Sequence, residues 1–222
     1  MNYTLCLMPK EPRHHERQLH RAFNAFLALG VVLLGFPAMA LDMELLWTAD
    51  PNMIMEGAPM VVDLDGDGEA EILTAAYENM IVVDGSGKER WRFDTRGRYS
   101  TCPAILERPG QSPLIYAGDY QGMFTCLDGG GQVVWQKDMG SIFGSSPALA
   151  DLNGDGLVEV IQADQAGVVL ALDALTGEVV WETKLGAECG SPAVGDLDGD
   201  GNLETVIATG TGKVLALDAS GS

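Results

Sequence analysis

Acidic side chains at alternate positions of a glycine-bearing loop can converge on one cation, and this sequence carries such a loop three times. The frames are Asp63-Leu64-Asp65-Gly66-Asp67-Gly68-Glu69-Ala70-Glu71, Asp151-Leu152-Asn153-Gly154-Asp155-Gly156-Leu157-Val158-Glu159 and Asp196-Leu197-Asp198-Gly199-Asp200-Gly201-Asn202-Leu203-Glu204. Each places side-chain oxygens at loop positions 1, 3, 5 and 9, with glycine at 4 and 6. Calcium takes six to eight oxygen ligands, and a tightly turned loop can aim short carboxylates and one backbone carbonyl at a single point. Glycine lets the chain turn that tightly. The candidate metal ligands are therefore Asp63, Asp65, Asp67, Glu69 and Glu71; Asp151, Asn153, Asp155, Leu157 through its carbonyl, and Glu159; and Asp196, Asp198, Asp200, Asn202 and Glu204, for about three calcium ions in all. The competing reading is an Asp-Gly hairpin turn with solvated acids. A turn needs no fixed acid at position 9, which favours metal.

The elements that hold these loops read as strands. Pro59-Met60-Val61-Val62, Pro147-Ala148-Leu149-Ala150 and Pro192-Ala193-Val194-Gly195 precede them, and Ile72-Leu73-Thr74-Ala75, Val160-Ile161-Gln162-Ala163 and Thr205-Val206-Ile207-Ala208 follow. Short apolar runs bounded by turn residues fit strands. An EF-hand would need helices on both sides and its bidentate acid at position 12, and has neither here.

Three markers share one period. The four tryptophans, Trp47, Trp91, Trp135 and Trp181, stand 44, 44 and 46 residues apart; Pro59, Pro103, Pro147 and Pro192 stand 44, 44 and 45 apart; Asp84, Asp128, Asp173 and Asp218 stand 44, 45 and 45 apart. A repeat of about 44 residues with four strands has the length of a propeller blade. The fold expected is all-β: a β-propeller of about four four-stranded blades, or part of a seven- or eight-bladed one, preceded by a signal-peptide helix. The repeats occupy 41–222, with an outer strand over 43–50 and blades over 59–95, 100–139, 145–185 and 189–222, the last incomplete. The second unit carries Glu107-Arg108-Pro109-Gly110-Gln111 where the acid loop belongs, so no metal is expected there. The two ends are complementary, since Leu45–Thr48 is an outer strand without inner partners and the last unit wants one. An open four-blade arc, or half of a larger propeller, is expected over a ring in which Leu45–Thr48 pairs with Val214–Asp218.

Residues 1–40 read as a signal peptide. Lys10, Arg13, Arg17 and Arg21 form a basic region, Ala22 to Phe36 an apolar core, and Ala38-Met39-Ala40 a cleavage site. The apolar run is shorter than the ~20 residues of a spanning helix, so the mature form is expected to carry no membrane span and to be secreted or periplasmic. Of four cysteines Cys6 goes with the signal; Cys102, Cys126 and Cys189 remain, as one bridge and a spare thiol or as three small buried side chains. The formal charge of −19, with no basic patch, argues against nucleic acid. Eleven carboxylates at positions 1, 3, 5 and 9 of the three loops account for much of it.

The acid loops resemble the calcium loops of FG-GAP and VCBS-type repeats. Ala171-Leu172-Asp173-Ala174-Leu175-Thr176-Gly177-Glu178-Val179-Val180-Trp181 matches the A-x-D-x-x-T-G-x-x-x-W docking motif of PQQ-type propellers. That resemblance implies that Trp181 packs on the next blade. Asp84-Gly85-Ser86-Gly87 and Asp128-Gly129-Gly130-Gly131 depart from it in lacking the threonine. A PQQ-type dehydrogenase resembling the known ones would need adjacent cysteines, a tryptophan floor and about twice as many blades, so PQQ is not expected. His14, His15 and His20 all lie in the signal segment, so no serine–histidine arrangement can form in the mature chain. The function expected is a non-enzymatic, calcium-binding extracytoplasmic module that presents a propeller face to a protein or glycan. The alternative is part of a quinoprotein dehydrogenase or of a polysaccharide-active enzyme.

Overall fold

Proline opens the innermost strand of every repeat, where it sets the backbone without breaking a ladder, and apolar β-branched runs follow it. In the computed structural model, which describes residues 45–49, 57–99, 101–140 and 144–222, each run is a strand. The first sheet holds β1 (Met60–Val62), β2 (Glu71–Ala76), β3 (Asn79–Val83) and β4 (Glu89–Asp94). The second holds β5 (Ala104–Leu106), β6 (Leu114–Gly118), β7 (Met123–Asp128) and β8 (Val133–Asp138). The third holds β9 (Ala148–Ala150), β10 (Glu159–Ala163), β11 (Val168–Asp173) and β12 (Val179–Lys184), and the fourth β13 (Ala193–Gly195), β14 (Glu204–Ala208) and β15 (Val214–Leu217). All pair antiparallel in sequence order, three sheets of four strands and one of three. This is the expected all-β, blade-type architecture, and no described residue is helical.

Burial follows position in the blade. In the first three blades the second and third strands are almost wholly buried, as in β6 and β10, because neighbouring sheets cover both faces, whereas β14 and β15 of the fourth alternate buried with half-buried and exposed residues. The outer strands β4, β8 and β12 alternate exposed and half-buried residues, as edges do. A register shift recurs in each of these blades between the third and fourth strands, at Val82/Val83, Cys126/Leu127 and Ala171/Leu172. Each bulge twists the outer strand at the level of its tryptophan.

Tryptophan and glycine tie one blade to the next. A Cβ built on Gly87, Gly131, Gly177 or Gly221 would fall 2.6–2.8 Å from the ring of Trp47, Trp91, Trp135 or Trp181, and all four glycines have positive φ, 72° to 85°. Only glycine satisfies both demands. Trp91 Nε1 donates to Gly129 O at 2.9 Å and Trp135 Nε1 to Ala174 O at 3.0 Å, an oxygen that also accepts from Tyr116 Oη at 3.0 Å. Each tryptophan thus packs on the following blade, as the docking motif implies. Backbone bonds to serine side chains add a second seam nearer the centre: Cys102 N to Ser146 Oγ and Ser146 N to Ser191 Oγ, both 3.0 Å.

Two expectations are adjusted. Residues 45–49 of the outer strand expected over 43–50 take no strand conformation, although Trp47 docks like its counterparts; the rest of that span, like the signal segment 1–40, lies outside the described residues. Among the described residues no disulfide forms: Cys102, Cys126 and Cys189 are free, the last two buried in separate apolar clusters, and burial pushes the Cys126 thiol up to about 12. The compact unit of the chain runs Trp47–Ser222, and of the preceding unit only 45 and 46 are described.

Candidate metal-binding face

Because the strands alternate in direction, the acid loops, which join first to second strands, share one end of each sheet with the turns that follow the third strand, which run Asp-x-x-Gly in three blades and Asp-x-x-x-Gly in the one headed by Asp173. Asp84, Asp128, Asp173 and Asp218 head those turns, and each turns its Oδ1 onto backbone N–H groups two and four residues on, or two and three on for Asp173. In the motif-matching blade Thr176 Oγ1 also donates to Asp173 Oδ1; where threonine is missing, Ser86 and Ser220 supply the same bond. Those hydroxyls are the first cause holding Asp84 and Asp218 below the usual carboxylate range.

The three acid loops share one internal bonding pattern. The aspartate at position 1 accepts the N–H of position 6 in every loop: Gly68 at 2.9 Å, Gly156 at 2.8 Å and Gly201 at 3.0 Å. Position 3 accepts from position 5, and position 5 from position 7. The glycines at 4 and 6 have φ between 73° and 90° with no neighbour within 4 Å of a built Cβ, so conformation alone demands them. At position 9, Glu71, Glu159 and Glu204 each turn Oε2 onto the N–H of position 2, Leu64, Leu152 or Leu197, at 2.8–2.9 Å. The acid that a bare turn does not require therefore has a bond to make without metal. Oε2 accepts one backbone bond, which leaves Oε1 the freer oxygen for a cation.

The frames differ in how far their acids converge. Ligand oxygens of Asp63, Asp65 and Glu71, and of Asp196, Asp198 and Asp200, lie within 4.8 Å of one another; among the described residues these are the carboxylate sets that gather so closely. Asp67 and Glu69 stay outside the first set and Glu204 outside the second. In the middle loop the amide of Asn153 replaces a carboxylate, and Asp151, Asp155 and Glu159 spread wider. Burial pushes the Glu159 carboxyl up against the pull of the Leu152 N–H, with Asp155 and Asp151 adding to the rise. The backbone and side-chain N–H groups of Asn202 hold Asp200 below the carboxylate range. Clustered carboxylates with free second lone pairs are a hard-cation donor set, and they fit calcium. Leu157 can offer only its backbone carbonyl, whereas its counterparts Glu69 and Asn202 also carry side-chain oxygens; all three residues are exposed. In the second blade the corresponding loop is closed by Arg108, whose guanidinium donates to Ser112 O, and carries no acid cluster.

One cation on this face escaped the sequence reading. Arg90 on β4 donates through Nη2 to Asp65 Oδ2 and places Nη1 3.9 Å from Glu71 Oε1. Its position, one before the tryptophan, holds Val134 and Val180 in the next two blades. A charged residue interrupting an otherwise apolar repeat position beside an acid loop was the available signal.

A family model described as outer membrane protein assembly factor BamB matches residues 76–222. The chain belongs to that family. Among solved structures it is similar to BamB from Moraxella catarrhalis, at 21% identity and TM-score 0.58, covering 79% of this chain and 54% of that one. It is also similar to the computationally designed Ika4 protein, at 13% identity and TM-score 0.60 over 80% of this chain and 99% of that one. BBS1N, solved in complex with ARL6DN, matches at 15% identity and TM-score 0.58 over 77% of this chain and 55% of that one. At these identities the likeness is one of fold. The chain spans about half the length of the Moraxella BamB chain. No curated protein matches the sequence.

Proposed function

We propose that the protein is an extracytoplasmic binding or scaffold module of the BamB type, secreted or periplasmic, in which calcium braces the loops of one propeller face and that face or its opposite contacts a protein partner. The observation that carries the calcium reading is the threefold recurrence, on one face, of a loop with one internal bonding pattern, which in two of the three gathers carboxylate oxygens within 4.8 Å of one another. The FG-GAP and VCBS likeness supports it. The scaffold reading rests on membership in a family named for outer membrane protein assembly and on the fold shared with BBS1N, which was solved in complex with a protein. No helix among the described residues is long and apolar enough to cross a membrane. A glycan partner, or an enzymatic role as part of a quinoprotein or polysaccharide-active enzyme, has no observation of its own here.

Two measurements test the reading. Calcium added to chelator-treated protein raises the melting temperature in proportion to the logarithm of free calcium above the dissociation constant, whereas magnesium, which demands six close oxygens in octahedral array, does so far less. Equal shifts with both ions, or none, overturn the calcium reading. Asp198→Ala removes one ion and leaves the others. For the scaffold reading, photo-crosslinkers placed at Leu157 on the acid-loop face and at Gln165 on the opposite face, in cells, trap one defined protein from one face. Crosslinks that are equally diffuse from both faces count against it.

A further inference from the structure

The Asp63 loop differs from its two counterparts in holding a cation of its own. Its position-9 acid, Glu71, is almost completely buried, and Oε1 of that carboxylate meets only Arg90 Nη1 at 3.9 Å, beyond hydrogen-bond reach. Arg90 bonds Asp65, the position-3 ligand, while the field of Asp65, Glu71 and Asp67 raises its basicity further. A guanidinium that satisfies one carboxylate and stands off from a buried second one occupies the ground of a smaller, doubly charged ion without matching it. At the equivalent place in the third blade stands Val180, so the Asp151 loop has no such charge on its outer strand, and for the Asp196 loop the described residues include no outer strand at all.

We infer that Arg90 is a built-in competitor for the first acid loop: its guanidinium holds the Asp63 loop in shape without metal and makes it a weaker calcium site than the Asp196 loop, the other one whose carboxylates converge. The inference rests on the calcium reading above and refines it: of the two convergent loops, Asp196 stands open and Asp63 must first displace a side chain. The displacement is feasible because Arg90 and Asp65 are both part-exposed, at 41% and 38% of their side-chain surface, and exposed pairs of this kind are weak. Its cost to the entering ion is nonetheless real. Calcium must expel a positive charge from within about 4 Å of its ligands, or tolerate it there, and either alternative lowers affinity relative to a loop facing valine.

The experiment is a calorimetric calcium titration of the chelator-treated, full-length secreted protein and of three variants. In the wild type the Asp63 site is at least about tenfold weaker than the Asp196 site. Arg90→Val, which copies Val134 and Val180 and so keeps an outer-strand residue already used at this position, brings the Asp63 site to within a few-fold of the Asp196 site and leaves the Asp151 site unchanged. Arg90→Lys keeps the charge and the weak Asp63 site. Asp63→Ala on the Arg90→Val background abolishes the recovered site and assigns it. An Asp63 site as tight as the Asp196 site in the wild type, or no tightening of it in Arg90→Val, overturns the inference while leaving calcium binding at the other loops intact. Absence of calcium binding in both proteins overturns the calcium reading itself, and this inference with it.

Discussion

The Asp63 and Asp196 loops have the same frame, the same glycine conformations and the same hydrogen-bond pattern, yet they stand in different surroundings. In the first, Leu64 is 2% exposed and packs into the cluster of Leu73, Ile115 and Leu127, with its carbonyl against Gly129 of the next blade; in the other, Leu197 is 60% exposed. Leu152 of the middle loop, at 3%, behaves as Leu64 does, under a blade that contributes Ile207 and Leu217. The bonding of the loop is therefore local and is the same whether its second residue is buried or exposed, whereas the energetic weight of Leu64 and Leu152 is conferred by the blade each packs against. A calcium-ready array and an inter-blade wedge are two functions of one nine-residue segment.

Truncating the wedge gives the largest separation between the loops. Leu64→Ala is expected to cost about 2–5 kcal/mol, the range for a buried leucine in a close-packed cluster. Leu197→Ala should stay within about 0.5 kcal/mol, as surface changes do. Denaturant unfolding of the two variants measures both, and equal losses would show that Leu197 is covered in solution.

That contrast bears on what the sequence could convey. The repeat period, the strand order and the docking tryptophans were legible because Trp, Pro and Asp recur at fixed spacing, and each proved to sit where one geometric demand is met: ring on glycine, proline before the innermost strand, aspartate closing a turn. Burial of Leu64 but not Leu197 was not legible, since both occupy position 2 of one motif and differ only in what lies beyond. The bond from Glu71 to the Leu64 N–H was hidden for a related reason: position 9 was read for its affinity to metal, and a carboxylate has two oxygens to place. Arg90 pairs with Asp65 across 25 residues of sequence, on a strand whose register had to be known first. The cysteines could not be resolved by count, because small apolar packing and half-paired bridges share a composition.

The position-9 acid provides a second, smaller test. Glu71→Ala strands the buried Leu64 N–H and should cost about 1–3 kcal/mol, the penalty for an unsatisfied buried donor. In Glu204→Ala the Leu197 N–H is beside solvent and finds water, so the loss is well below that. Amide hydrogen exchange at Leu64 and Leu197 reports the same difference residue by residue. Comparable losses from both variants would mean that the bond, not its burial, carries the energy.

Where the comparison predicts sameness, the glycines probe it. Gly66→Ala and Gly199→Ala place a Cβ in open space at φ 79° and 83°, so each is expected to cost about 1–2 kcal/mol from left-handed backbone strain alone. A cost at Gly66 well above that at Gly199 would show that the following blade constrains the turn as well as the wedge.

The smallest effect has the most diagnostic sign. Without calcium, Asp65 faces the Arg90 guanidinium, while Asp198 faces Asp196 and Asp200 with no cation on its own loop among the described residues. Neutralising Asp65 removes an attraction, and neutralising Asp198 relieves a repulsion. Asp65→Asn should therefore lower the melting temperature slightly in chelator, and Asp198→Asn should leave it unchanged or raise it. Both shifts shrink as salt is added, since exposed charges are screened within about 10 Å at 0.1 M. With calcium present the Asp198 variant reverses sign, because the carboxylate it has lost is then a ligand rather than a source of repulsion. A downward shift for both variants in chelator would mean that a cation other than Arg90 already balances the Asp196 loop in the isolated protein.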